Sequence, residues 1–420
     1  MTAVVGANAS IAQAQDNTAG QQQAAAIMQA AADRAPQAAA TPGGTVQRVP
    51  GRPIDTAGRV LMRADAKGCD KNAALLAAGK IHSYRCSRPT VKMTRSAAGL
   101  DAVDWPGECS STSGTLTGWI AIDRRNACNH VEIDIITTLE PSGEVIGTTD
   151  LHAVSTASAT GATWANTTFL WLWDFTGVGA PSFAEGLLFP SCSTATCLGT
   201  GGTWTTQADG ESWKGTGNAE VTGLTPGVVD NNVGGFWEYT LGGEGWGNTV
   251  TVENYLALSR CDNATPGTST PGCVFGNIPG VLGFSQTTVP NFVQHVYGAQ
   301  VSGLPGRLDT GTYLTRLTDG TLSNQNGAKA CPASLPRPTG YQCDEYPFRS
   351  TYEGASTSGA TQARSLPWCQ MPDPQRTGPS GWSRCFIPSG ENSSSGGTTG
   401  AFYRAQRMLA HDPFEIGYLP

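Results

Sequence analysis

Twelve cysteines, at positions 69, 86, 109, 128, 192, 197, 261, 273, 331, 343, 369 and 385, constrain this chain more than any other feature. None forms a C-x-x-C pair, so zinc-ribbon spacing is absent. An even number of cysteines in a Gly-rich chain reads as a disulfide set, which belongs to an oxidising compartment. Sequence does not fix connectivity. The expected arrangement is nearest-neighbour pairing: Cys69–Cys86, Cys109–Cys128, Cys192–Cys197, Cys261–Cys273, Cys331–Cys343 and Cys369–Cys385. A set of buried, reduced thiols is the alternative. With 53 Gly and 26 Pro in 420 residues and 14% charged residues, the chain suits a β-rich, loop-rich extracellular protein better than a helical cytosolic enzyme. The stretch from Ala3 to Ala7, running on to Ala12-Gln13-Ala14, looks like the end of a signal peptide, although no Lys or Arg precedes it. Export is the expected localisation. No apolar run reaches the roughly 18 residues that a membrane span needs.

The chain is expected to be multidomain. Residues 1–50 read as a flexible Ala/Gln-rich leader, with a short Ala-rich helix possible over Gln21 to Ala40. Residues 51–80 read as a linker or short helical segment. Residues 81–275 read as a β-rich, sandwich-like domain of unknown role. There Val131, Ile133 and Ile135 alternate with polar neighbours, the period of a half-buried strand. Phe169 to Trp173, Phe236 to Tyr239 and Thr249 to Val252 look similar. The many Trp residues of this part, among them Trp164, Trp171, Trp173, Trp204, Trp213, Trp237 and Trp246, form either a sugar-stacking surface or ordinary core, and core is the commoner use.

The texture changes from residue 276. Pro290 opens a helix with Phe292, Val293, Val296 and Tyr297 on one face. Periodicity gives a second helix over Thr399 to Ala410, and Phe414, Ile416 and Tyr418 alternate as a closing strand. Residues 276–420 hold ten Lys+Arg and nine Asp+Glu, whereas residues 1–275 carry a net charge of −8. Nine of those ten cations are Arg, which binds phosphate bidentately, so this part better suits a polyanionic partner.

The chemistry-bearing residues also gather here. Asp344-Glu345 follows Cys343 and precedes Tyr346-Pro347-Phe348. Side chains of adjacent strand residues point to opposite faces, so only one of the two acids is expected to face a cleft directly. Glu353, Asp319 and the pair Glu391-Asn392 complete a set of oxygen donors suited to Mg²⁺ or Mn²⁺. Isolated loop acids more often cap turns. The five histidines, His82, His130, His152, His295 and His411, form no H-x-x-x-H cluster. No G-x-S-x-G elbow, P-loop or dinucleotide fingerprint appears.

Cys343-Asp344-Glu345-Tyr346-Pro347-Phe348-Arg349-Ser350-Thr351-Tyr352-Glu353-Gly354 resembles the Asp-Glu-aromatic-Pro signature of NucA/NucB-type deoxyribonucleases, in the cysteine-containing form found in actinobacterial members. The flanks agree in order. Upstream lie Val289-Pro290 with His295, and Leu314-Thr315-Arg316 with Asp319. Downstream lie Glu391-Asn392, Gly396-Gly397, Phe402-Tyr403-Arg404, Arg407 and Asp412-Pro413-Phe414. The resemblance covers residues 287–420 and leaves the β-rich part unnamed. It implies a small α+β nuclease domain over 276–420, similar to the ββα-metal fold, that cuts DNA without sequence preference.

By the same resemblance, Asp344 takes a proton from the attacking water. Asn392, at the start of a metal-bearing helix, holds a divalent ion together with Glu391. Glu345 and Glu353 orient water, Arg349 holds a phosphate, and Asp319 and Arg404 are accessory. Two alternatives stand beside a scavenging nuclease. One is a toxin effector whose nuclease payload is delivered by the β-rich part, with an immunity protein and a cell-wall or delivery partner. The other is a Trp-rich carbohydrate or cell-surface binding module with an inactive nuclease tail.

Overall fold

In the structure, a computed structural model, the described residues are 52–53, 62–92, 120–121, 123–179, 181–206 and 212–419. The signal-like start, the Ala-rich helix over Gln21 to Ala40 and Cys109 lie outside them. The chain divides into two compact units, with the division between Ile278 and Pro279.

Long strands build the first unit, because Thr, Val and Ile alternate over many residues and fit a pleated, half-buried surface. Strands Asn126–Glu140, Glu144–Thr160 and Thr163–Gly177 run antiparallel in an eight-stranded sheet. A six-stranded sheet is centred on Val229–Gly242, flanked by Phe183–Ser191 and Thr249–Tyr255. Val131, Ile133 and Ile135 of the first sheet share one hydrophobic core with Trp237, Leu241 and Val252 of the second. The unit is therefore a sandwich whose inner faces interdigitate.

This unit reaches back before residue 81. Met62–Lys67 pairs with Thr249–Tyr255 as an edge strand, and the helix Cys69–Ala77 follows it. Trp164, Trp237 and Trp246 are fully buried and Trp213 nearly so. These four are core and offer no surface for a sugar.

The second unit is α+β. Strand Gly280–Ser285 runs parallel to the closing strand Pro413–Leu419, which also pairs with Leu314–Thr315. A second small sheet holds Tyr341–Tyr346, Trp382–Pro388 and Ala363–Arg364, with Trp382–Pro388 in the middle. Helices Pro290–Val301, Gly320–Ala330 and Ser389–Ala405 complete the unit. Phe284, Phe292, Val296, Ile387, Phe402 and Phe414 meet in one core. The Pro290 helix stops at Gly303, whose φ of 108° few other residues adopt and where an added Cβ would meet the Gly378 backbone at 2.9 Å.

The last helix differs from its expected span over Thr399 to Ala410. It starts ten residues earlier, at Ser389, and ends at Ala405. Ser393-Ser394-Ser395-Gly396-Gly397 is a poor helix former, which is why periodicity misses it. Packing of Phe402 and Tyr403 into the core holds it instead. The Ser395 and Thr399 hydroxyls donate to the carbonyls of Glu391 and Ser395, four residues back.

Among the described residues five disulfides form: Cys69–Cys86, Cys192–Cys197, Cys261–Cys273, Cys331–Cys343 and Cys369–Cys385. Cys128 is buried, and its expected partner Cys109 lies outside the described residues. No helix among the described residues is long and apolar enough to cross a membrane.

Candidate active site

The signature residues lie on strand Tyr341–Tyr346, which pairs antiparallel with Trp382–Pro388, Asp344 opposite Cys385. The chain passes from Trp382–Pro388 straight into the helix Ser389–Ala405. Two disulfides fix this framework. Cys331–Cys343 ties the end of the Gly320 helix to the signature strand, and Cys369–Cys385 anchors the middle strand. A cleft of about 1000 Å³ opens against these elements. Asp344, Glu345, Asn392, Arg316 and Arg349 all line it.

Asp344 and Glu345 both border the cleft, although strand alternation led to the expectation of only one. Their strand is an edge strand of its three-stranded sheet. They differ in environment. Asp344 is buried, and its Oδ2 lies 2.6 Å from Nδ1 of His295. The other ring nitrogen of His295, Nε2, lies 2.9 Å from the Ser383 hydroxyl. Burial raises the Asp344 carboxyl above the usual aspartate range, against the opposing pull of His295. Glu345 is half-buried, and loss of solvent together with the Asp344 charge pushes it up to about 8, with Arg349 opposing.

Asn392 sits in the first turn of the last helix. Its side-chain Nδ2 donates to Gln342 Oε1 at 2.9 Å, which leaves its carbonyl oxygen for a ligand. Asn392, Asp344 and Glu345 thus offer only oxygen donors, the chemistry that a hard divalent cation takes. Two acids destabilised by burial, Glu345 also by the charge of Asp344, are also an environment that a cation relieves. The residues present fit such an ion.

Arg316 is the better-prepared cation of the cleft. Its guanidinium carbon sits 3.8 Å from the centre of the Tyr403 ring, and Nη1 donates to the Ser350 carbonyl at 3.3 Å. Its Nε is buried without a hydrogen-bond partner. Arg349 is exposed and its Nη2 donates to the Asn324 side chain.

Three residues expected at the site lie outside the cleft lining. Both carboxylate oxygens of Glu353 are taken by Thr315, from its backbone N–H at 2.8 Å and its hydroxyl at 2.7 Å. Glu353 therefore ties the strand Leu314–Thr315 to the signature loop. Glu391 is not free for a metal. It accepts from the backbone N–H groups of Asn291 and Phe292, at 2.7 and 3.1 Å, and from the Asn291 side chain at 2.7 Å. It thereby caps the Pro290 helix, whose first N–H groups have no partner within the helix. Arg404 is exposed on the last helix. Asp319 does line the cleft, and it caps the Gly320 helix by accepting from the Leu322 N–H at 3.0 Å.

The contacts of His295 with Asp344 and Ser383 are what sequence reasoning missed, although His295 stood among the flanks of the resemblance. The available signal was a histidine set among Phe292, Val293 and Val296 on the buried side of a helix. The acidic trio Glu132, Asp134 and Asp150, whose oxygens lie within 4.8 Å of one another, belongs to the sandwich and not to this cleft.

No curated protein and no solved structure matches the chain. Residues 315–417 match the family model described as deoxyribonuclease NucA/NucB. This segment holds the signature strand, the last helix and most of the cleft. The C-terminal unit thus carries a deoxyribonuclease domain of the NucA/NucB family, a phosphodiester hydrolase whose substrate is DNA.

Proposed function

We propose that the protein is an exported, sequence-non-specific DNA endonuclease that depends on a divalent metal and uses Asp344 as general base. The observation that carries this reading is the buried Asp344 in a cleft shared with Asn392 and Arg316. The antiparallel pair Tyr341–Tyr346 and Trp382–Pro388, with the helix Ser389–Ala405 running on directly from the second strand, supports a ββα-metal arrangement around it. The disulfides support an extracellular setting.

A phosphodiester resists attack because its charge repels nucleophiles. Asp344, raised by burial, takes the proton of the attacking water and holds that water towards phosphorus. Arg316 and Arg349 hold the phosphate and meet the charge that grows on its oxygens. Asn392 and Glu345 would hold Mg²⁺ or Mn²⁺, which adds further charge neutralisation and a site for the leaving oxygen. Contacts to phosphates rather than base edges make cutting sequence-tolerant and salt-sensitive.

Plasmid digestion by the full chain tests this. Supercoiled DNA is expected to be nicked and then degraded with Mg²⁺ or Mn²⁺, and to survive when EDTA is present. Equal cleavage in EDTA would remove the metal from the mechanism. Cleavage confined to one sequence would remove the non-specific reading.

A further inference from the structure

We infer that His295 and Ser383 form a buried relay that orients Asp344 for catalysis, with His295 as a positioning residue behind the base. This rests on the reading of Asp344 as the base. His295 is fully buried and has no direct access to substrate. Its Nδ1 meets Asp344 Oδ2 at 2.6 Å and its Nε2 meets the Ser383 hydroxyl at 2.9 Å. An ionised carboxylate only accepts, so Nδ1 carries a proton and donates. Ser383 satisfies the remaining nitrogen, which fixes the ring plane and the tautomer. With Oδ2 held from behind, Asp344 turns its other oxygen to the cleft.

Each member of the relay comes from a different element. Asp344 lies on the signature strand and Ser383 on its antiparallel neighbour. His295 lies on the Pro290 helix. The Glu391 cap at the start of that helix, one residue before Asn392, couples the position of His295 to the turn that carries Asn392. A carboxylate without that partner would be free to rotate; the relay keeps it aimed.

The test uses full-length variants, with kcat and KM measured on plasmid DNA at saturating Mg²⁺ and the fold followed by Tm. His295→Asn keeps a donor where Nδ1 stood, whereas His295→Gln moves it towards the Nε2 side and His295→Leu removes it. His295→Asn is expected to stay within about tenfold of wild-type kcat, and His295→Gln and His295→Leu to fall by about 10²-fold or more, all with KM nearly unchanged. Ser383→Ala is expected to lose several-fold in kcat, which keeps the inference open to refutation if His295→Leu does not fold. In an Asp344→Asn background, His295→Leu should cost nothing further. A folded His295→Leu at full rate, equal losses for Asn and Gln, or an unaffected Ser383→Ala would overturn the relay. If Asp344→Asn itself cleaves normally, the reading of Asp344 as base fails, whatever His295 does.

Discussion

Each unit buries an aspartate, and the two are treated in opposite ways. In the sandwich, Asp230 Oδ2 accepts from the backbone N–H groups of Ser193, Thr194 and Ala195. Its Oδ1 accepts from the Ser193 hydroxyl and the Asn232 N–H. Burial alone would raise this carboxyl, but these donors outweigh it and hold it well below the usual range. In the nuclease unit, burial prevails at Asp344, whose side-chain partner is His295. A fully met carboxylate closes a loop, here the one bridged by Cys192–Cys197. A partly met one beside a cleft keeps basicity in reserve, which is what chemistry needs.

The largest effect that would sharpen this contrast is on stability. Asp230→Asn should destabilise the sandwich by about 3 kcal/mol, because it swaps an acceptor for a donor among five donors. The folded pKa of Asp230 lies below its unfolded value, so its contribution is complete above about pH 5 and is lost as pH falls through the folded value. The variant should therefore show a flatter acid limb in chemical denaturation, with DNA cleavage by the folded protein unchanged. Asp344→Asn should leave stability equal or higher, because the charged form there works against burial. A large loss of stability in that variant would break the comparison.

Next in size is Arg316→Ala, expected to lower kcat/KM about tenfold and to reduce the slope of log K against log salt by about one. Lys214→Ala in the sandwich should change neither. The smallest effect separates neighbours. Glu391→Ala should cost about 1 kcal/mol of stability through the lost helix cap, without changing the Mg²⁺ concentration that half-activates cleavage. Asn392→Ala should raise that concentration with little change in Tm. The opposite pattern would return Glu391 to the metal.

Local patterns were legible where one residue type decides the outcome. Val131, Ile133 and Ile135 marked their strand, Pro290 its helix, and neighbouring cysteines their loops. The Asp344-Glu345 motif and its flanks marked the segment that matches the deoxyribonuclease family model and lines the cleft. Features that depend on long-range register were not legible. His295 meets Asp344 only because the helix packs across a strand forty-nine residues away in sequence. Glu353 and Glu391 looked like ligands because a carboxylate bound to backbone N–H groups has the same sequence as one bound to a cation. The Ser- and Gly-rich start of the last helix is held by its neighbours rather than by its own propensity.

The central claim is that Asp344 supplies the base of a metal-dependent nuclease. Single-turnover cleavage of plasmid DNA by full-length wild type and Asp344→Asn, at equal Mg²⁺ and with Tm confirming both folds, tests it most directly. The account predicts a fall of about 10³-fold or more with DNA affinity retained. A rate within a few-fold of wild type would contradict it.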